Sequence, residues 1–297
     1  VAIKIVRNIP KYREAAAQEI RLLMHMQQQQ RPGTKALNIP LLSWFDYQGH
    51  ICMVFPLLAT SLFDFVKSNH FTPLPLAHIQ SLAHQMFTSV ALLHDLQIIH
   101  TDLKPENMML TSYVGHPYVL PQRPAPSRLP TMLAHTDLTV IDFGSAIFES
   151  QYHASVVSTR HYRAPEIILN LGWSFPCDIW SLGCILVELF TGETLFPSHN
   201  NIHHLHLMQN ECGPLPYRMG QAHHRFWDGT LCPVPRPAPS DPRRGKSAWD
   251  GRPPAREMLR VSRTEEAAQL ADLVRHCLMM DPARRCTAKQ ALAHPFF

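Results

Sequence analysis

The sequence predicts an α+β chain with a β-rich front and a larger, mainly helical remainder. Three observations predict it. Short runs rich in β-branched and aromatic residues fall before residue 58, apolar residues recur at helical spacing from Leu76 to Leu96, and an apolar helix runs from Asp178 through Phe190. A chain of 297 residues with 45% hydrophobic content can bury a large core.

Val1 to Val6 reads as a short strand because of its β-branched residues, and Arg13 to Gln27 has helix-forming composition with Ile20, Leu23 and Met24 on one face. Gln27 to Gln30 and Arg31-Pro32-Gly33 read as a solvated loop. Two strands follow, Leu41 to Tyr47 and His50 to Phe55, joined by a turn at Gln48-Gly49. The 35 residues from Asn107 to Asp142 exceed what a hairpin needs, and they contain Pro117, Pro121, Pro124, Pro126 and Pro130, which marks an exposed insertion near 112–136. A second proline-rich, Arg-containing segment runs from Pro214 to Pro254. Disorder is the reading favoured there over a docking surface.

The formal charge of +4 is mild, and Lys and Arg are scattered with no basic run interleaved with aromatics, so direct nucleic-acid binding is not expected. Seven cysteines, an odd number without a C-x-x-C pair, are expected as reduced thiols of a cytosolic or nuclear protein. No uninterrupted apolar run approaches a membrane span and no secretory leader is visible, so no membrane partner is expected. His203, His204 and His206 share no helical face and no carboxylate or Cys pattern completes a ligand set, so a metal site is not expected there.

The chemistry is concentrated in a few ordered motifs: Val1-Ala2-Ile3-Lys4, then His100-Thr101-Asp102-Leu103-Lys104-Pro105-Glu106-Asn107, then Asp142-Phe143-Gly144, then Ala164-Pro165-Glu166. A single Asp, Lys or Glu on a loop is ordinarily a solvated charge, but the ordered set outweighs that reading. Phosphoryl transfer needs metal-binding carboxylates, a cation on the phosphates and a group that orients the attacking hydroxyl, and all of them are present.

With these motifs the whole chain resembles the eukaryotic protein kinase family, from the third strand of the small lobe to the end of the large lobe. The resemblance implies a two-lobed protein kinase-like fold, with residues 1–57 a partial small lobe lacking the glycine-rich loop and 58–297 a large lobe carrying both insertions. The start at Val1 is accordingly read as a truncation. ATP and Mg²⁺ are the implied cofactors. Asp142 and Asn107 would hold metal, Asp102 would accept the proton of the substrate hydroxyl, and Lys104 would face the transferred phosphate. Lys4 would contact the α and β phosphates, held by Glu19, with Leu23 packing inward near Phe143. Phe55 would back the adenine pocket, and Pro56 to Leu58 would form the hinge, Pro56 offering its carbonyl and Leu58 its N–H to adenine. Thr159 would bridge Asp102 and Lys104. Asp178 would tie down the catalytic-loop backbone, and Arg285, in the stretch from Asp281 to Phe297 that looks like the terminal helices, would pair with Glu166.

Thr101 stands where most of the family carries Arg, so the usual clamp on a phosphorylated activation loop is absent. The segments around Thr101, Ser145-Ala146 and Ser158-Thr159-Arg160-His161-Tyr162-Arg163 resemble the LAMMER or CDC-like kinases. That implies Ser/Thr phosphorylation of Arg-Ser-rich splicing factors as protein substrates, dual-specificity autophosphorylation on Tyr, and nuclear or cytoplasmic residence as a monomer. Of the group's Glu-His-Leu-Ala-Met-Met-Glu-Arg signature, only His204, Leu205 and Met208 are kept in His203 to Asn210. Glu106 is read either as facing a substrate Arg or as bracing its own loop. A non-catalytic kinase-like scaffold is the alternative function.

Overall fold

Helix-forming and β-branched segments sort along the chain much as their periodicities require. A computed structural model describes residues 1–30, 33, 36–117, 131–221 and 264–297. The front holds β1 (Ala2–Ile5), α1 (Pro10–Gln29), β2 (Ser43–Tyr47) and β3 (His50–Phe55), with an antiparallel sheet in the order β1-β3-β2. Lys4 lies opposite Met53, and Ala2 opposite Phe55. The β2–β3 turn is made by Gln48 at φ 51° and Gly49 at φ 82°, the two positive values that a tight hairpin of this hand requires.

α1 is longer than its composition suggested, because Gln27 to Gln29 are helical rather than loop. Gln is a good helix former, and the helix ends at Gln30, just before Arg31-Pro32, where the ring of a proline disfavours helix. Its buried face is Ala16, Glu19, Ile20, Leu22, Leu23 and Met26; Met24, expected inside, is 45% exposed because it lies one step off that stripe. Leu23 and Phe143 are both within the core.

The rest is led by helices: α2 (Leu62–Ser68), α3 (Leu76–Asp95), α4 (Pro165–Ile168), α5 (Pro176–Thr191), α6 (Asn201–Cys212), α7 (Tyr217–Gln221), α8 (Glu265–Cys277) and α9 (Ala288–Leu292). α5 is buried from Cys177 to Leu189 on every face, the pattern of a helix inside a core. α8 crosses it at Gly183, where an added Cβ would stand 2.8 Å from Leu278 and 2.9 Å from Cys277, so only glycine admits that approach.

Short ladders build the floor of the cleft between the two regions. β4 (Thr60–Ser61), β6 (Met108–Leu110) and β9 (Leu138–Val140) form one, and β5 (Ile98–Ile99) pairs with β10 (Ile147–Phe148). Within 112–136, β7 (Gly115–Pro117) and β8 (Thr131–Leu133) pair as hairpin arms, with the Thr131 N–H donating to Asn69 at 2.7 Å. Residues 118–130 lie outside the described residues. Disorder is expected over 214–254, but Tyr217–Gln221 form α7, with Met219 buried. The remainder, 222–254, lies outside the described residues.

α6 buries His204 completely, with no hydrogen-bond partner for either ring nitrogen among the described residues. Burial, then the nearby Arg160 and Arg163, pull its pKa down to about 3. The unfolded chain, with an ordinary His near 6.5, binds the proton first as pH falls, so folding stability drops between those two values. At pH 5 this costs about 2 kcal/mol relative to neutral pH. Denaturant unfolding of His204→Leu at pH 7 and pH 5 should show a pH difference smaller by about that amount; an unchanged difference would refute the assignment.

Candidate active site

The cleft is assembled from loops whose backbones are held in sparsely populated conformations. Thr101, a β-branched residue at φ 67°, and Ser158 at φ 66° lie in the left-handed region that such residues avoid, and Asp142 at φ 61°, a residue type that tolerates it better, lies there too. Hydrogen bonds hold them there. Buried Asp178 accepts the His100 N–H and the Thr101 N–H, both at 2.9 Å, and His94 Nε2 at 3.0 Å. The Thr101 hydroxyl donates to the Ser145 carbonyl at 2.9 Å, and the Ser158 hydroxyl donates back to the Thr101 carbonyl at 2.5 Å. Strain of this kind persists only where the surroundings over-determine the backbone. Here it fixes the loop carrying Asp102 against the segment carrying Thr159.

Asp102 is fully engaged. Its Oδ1 accepts from the Thr159 hydroxyl at 2.7 Å and the Thr159 N–H at 2.8 Å, and its Oδ2 accepts from Lys104 Nζ at 2.7 Å. Lys104 also donates to Thr159 Oγ1 at 3.1 Å, closing a three-residue ring. Burial alone would raise the Asp102 pKa, but the bonds from Lys104 and Thr159 outweigh it and hold the carboxyl below its usual range. It is therefore anionic at neutral pH and aimed by two partners.

The second cluster joins the β-rich front to the helical region. Lys4 Nζ donates to both oxygens of Glu19, at 2.8 and 2.9 Å, and to Asp142 Oδ1 at 2.8 Å. Burial opposes the Lys4 charge, yet Glu19 and Asp142 together raise its pKa. The same ammonium, outweighing burial, lowers that of Asp142. The Met108–Val140 pairing of β6 and β9 brings Asn107 beside Asp142. Asn107 Nδ2 donates to the Asp102 carbonyl at 2.9 Å, which leaves its Oδ1 for another partner.

At the back, buried Phe55 ends β3 and half-buried Pro56 and Leu58 follow it. Among the described residues no other backbone group engages the Pro56 carbonyl or the Leu58 N–H, so one acceptor and one donor stand open on this strand. Of the ten residues expected at the site, Lys4, Glu19 and Asp142 are joined by hydrogen bonds, as are Asp102, Lys104, Thr159 and Asn107, while Phe55, Pro56 and Leu58 lie at the end of β3, whose Met53 is opposite Lys4.

The donors test well for a hard cation. Asp142 and Asn107 offer only oxygen, the ligand type that Mg²⁺ takes, and the cleft groups three carboxylates with two ammonium groups. An excess of anionic oxygen suits a divalent ion.

Sequence reasoning missed His94, Ser145 and Ser158. Their roles depend on contacts 44 to 84 residues away along the chain, which neither the apolar stripe around His94 nor the loops around Ser145 and Ser158 reveals. Thr159→Ala should lower turnover about tenfold to a hundredfold, the value of a hydrogen bond to a charged group, with a smaller change in ATP binding. Steady-state phosphate transfer with titrated ATP would decide it; unchanged turnover would sink the role.

Comparison with known proteins agrees with this geometry. The protein kinase domain family model matches residues 1–297. The dual specificity protein kinase lkh1 of Schizosaccharomyces pombe is 46% identical over all of this chain and 43% of its own length. The mouse dual specificity protein kinase CLK4 is 42% identical over the whole chain and 60% of its length, and the Arabidopsis thaliana serine/threonine-protein kinase AFC2 is 42% identical over 70% of its length. This chain therefore spans about half the length of the first two relatives. A crystal structure of a kinase domain superposes with a TM-score of 0.80 at 28% identity, covering 99% of this chain and 86% of that one.

Proposed function

The chain belongs to the protein kinase domain family, with its two-lobed fold, and from that premise we propose that it transfers the γ-phosphoryl group of ATP to Ser and Thr hydroxyls of protein substrates, and to Tyr in autophosphorylation. The ring of Asp102, Lys104 and Thr159 carries this reading. A catalytic role gives those bonds a purpose that a scaffold lacks, and relatives named dual specificity kinases favour the catalytic reading over the scaffold.

Mg²⁺ held by Asp142 and Asn107 would supply charge neutralisation on the phosphates. Asp102 accepts the proton of the incoming hydroxyl while its own orientation is fixed by Thr159. Lys104 presents its ammonium beside the same carboxylate and balances negative charge there. Lys4, steadied by Glu19, offers a cation to the nucleotide phosphates, and Pro56 and Leu58 offer their open acceptor and donor to the adenine edge.

The substrates we propose are Arg-Ser-rich proteins of the splicing machinery, met in the nucleus or cytoplasm by a monomeric enzyme. Glu106 supports this: it is exposed, two residues past Lys104, and no described residue bonds its carboxylate. An arginine next to the acceptor hydroxyl would find it. Radiolabelled phosphate transfer to an Arg-Ser-repeat peptide and to a matched Ala-Ser-repeat peptide tests the reading. Preference for the first, reduced by Glu106→Gln, is expected; equal rates would remove the substrate class, and no transfer to any protein would remove the activity.

A further inference from the structure

Two cysteines far from the cleft are brought together by the fold. Cys277 ends α8 and is fully buried against Gly183 of α5. Cys286 follows the 3-10 turn Pro282–Arg284, and its N–H donates to the His276 carbonyl at 3.3 Å, so the two segments run side by side. The Sγ atoms stand 3.9 Å apart with no side chain between them. The bonded distance is about 2.05 Å, so closure brings the two sulfurs about 2 Å nearer. Half-buried Cys286 is the thiol a small molecule can reach; Cys277 is closed off.

Their electrostatics divide the roles. The hydrogen bond from the Cys277 thiol, acting against burial, holds Cys286 below the usual thiol range, while that same bond and burial push Cys277 up. The nucleophile is the thiolate and Cys286 is the thiol that a hydroperoxide can reach, so Cys286 attacks and buried Cys277 resolves.

We propose that Cys286 and Cys277 form an oxidative modification site, in which a hydroperoxide oxidises Cys286 and Cys277 closes it into an intramolecular disulfide. In the first step the Cys286 thiolate attacks the distal oxygen, the O–O bond breaks, the alkoxide or hydroxide leaves and takes a proton, and Cys286 becomes a sulfenic acid. In the second, the Cys277 sulfur attacks the Cys286 sulfur, the S–O bond breaks and water leaves with the Cys277 proton. The sum is two thiols and one hydroperoxide giving a disulfide, an alcohol or water, and a further water.

The location gives the bond a structural effect. Between the two cysteines lie Met279, whose carbonyl accepts from Arg285 Nε at 3.1 Å, and Arg285 itself, which holds Glu166. A disulfide would staple the segment that carries this arginine and restrict the unfolded chain.

The test uses the full reduced chain treated with a stoichiometric amount of hydrogen peroxide, alkylated and digested with trypsin. Cleavage after Arg284 and Arg285 separates the two cysteines, so a disulfide appears as a cross-linked peptide pair that splits on reduction. We expect that pair, a thermal midpoint raised by peroxide and restored by dithiothreitol, and loss of both in Cys286→Ser. In Cys277→Ala, Cys286 should instead be trapped by dimedone as sulfenic acid. Recovery of both cysteines alkylated in the wild-type chain, over-oxidation of Cys286 without a cross-link, or pairing of either with another cysteine would overturn the proposal.

Discussion

Asp102→Asn should lower the rate of phosphoryl transfer about 10²- to 10⁴-fold, the range that a positioned general base contributes. The substitution keeps the size of the side chain and one acceptor oxygen, so Thr159 retains a partner for its hydroxyl. It removes the charge that Lys104 binds at 2.7 Å and the basicity that accepts the substrate proton. ATP affinity should change little, because Lys4, Glu19, Asn107 and Asp142 remain in place. A rate measured under saturating ATP, alongside nucleotide binding measured directly, separates the two effects. Loss of binding equal to the loss of rate would mean that Asp102 supports the cleft and does no chemistry. The acid limb should also tell: Asp102 and Asp142 are both held below the usual carboxylate range, so neither should set it, whereas burial raises Glu19, which steadies Lys4, and its protonation should come first as pH falls.

The motifs made the site legible because phosphoryl transfer asks for particular side chains in a fixed chain order, and here Lys4 lies within β1, Asn107 just before β6 and Asp142 just after β9. Lys4 sits in the β-branched run that the sequence shows as β1, whereas Asn107 and Asp142 are legible from their motifs alone, since β6 and β9 are only three residues each. The helices with long periodic stripes, α3 and α5, were legible within two residues at either end. What stayed hidden was set by tertiary contact. The seven residues of α2 are too few to show a period, and its cap, in which the Ser61 hydroxyl accepts the Asp64 N–H at 2.9 Å, does not stand out in the sequence. His94 and Ser158 act through partners remote in the chain, and the approach of Cys277 to Cys286 needs the turn between them. The sequence could count the thiols but could not pair them. Met24 shows the reverse error, an apolar residue assigned inward by type although its position on the turn points it to solvent.

Arg285→Ala should destabilise the fold by about 3–5 kcal/mol, a large share of the roughly 5–15 kcal/mol that holds an ordinary domain together. The guanidinium is fully buried, donates to both oxygens of Glu166 at 2.7 and 2.9 Å, and donates again to the Pro176 carbonyl at 2.7 Å and the Met279 carbonyl at 3.1 Å. It also lies over the Trp180 ring, 5.1 Å from the centroid. Truncation leaves the Glu166 carboxylate buried without a counter-charge, and that orphaned charge, rather than the lost attraction, is the main cost. Arg285→Lys should recover little, because one ammonium cannot span both carboxylate oxygens and two carbonyls. The decisive comparison is a double-mutant cycle with Glu166→Gln, read by denaturant unfolding. If the orphaned charge dominates, the double variant will be less destabilised than the sum of the singles by more than about 1 kcal/mol. Simple additivity would show that Arg285 stabilises through the carbonyls of α5 and the α8 turn alone. Activity should follow a different course: Glu166 begins α4 just beyond Thr159, so loosening it lets the segment that aims Asp102 drift, and turnover should fall even at temperatures where the variant remains folded.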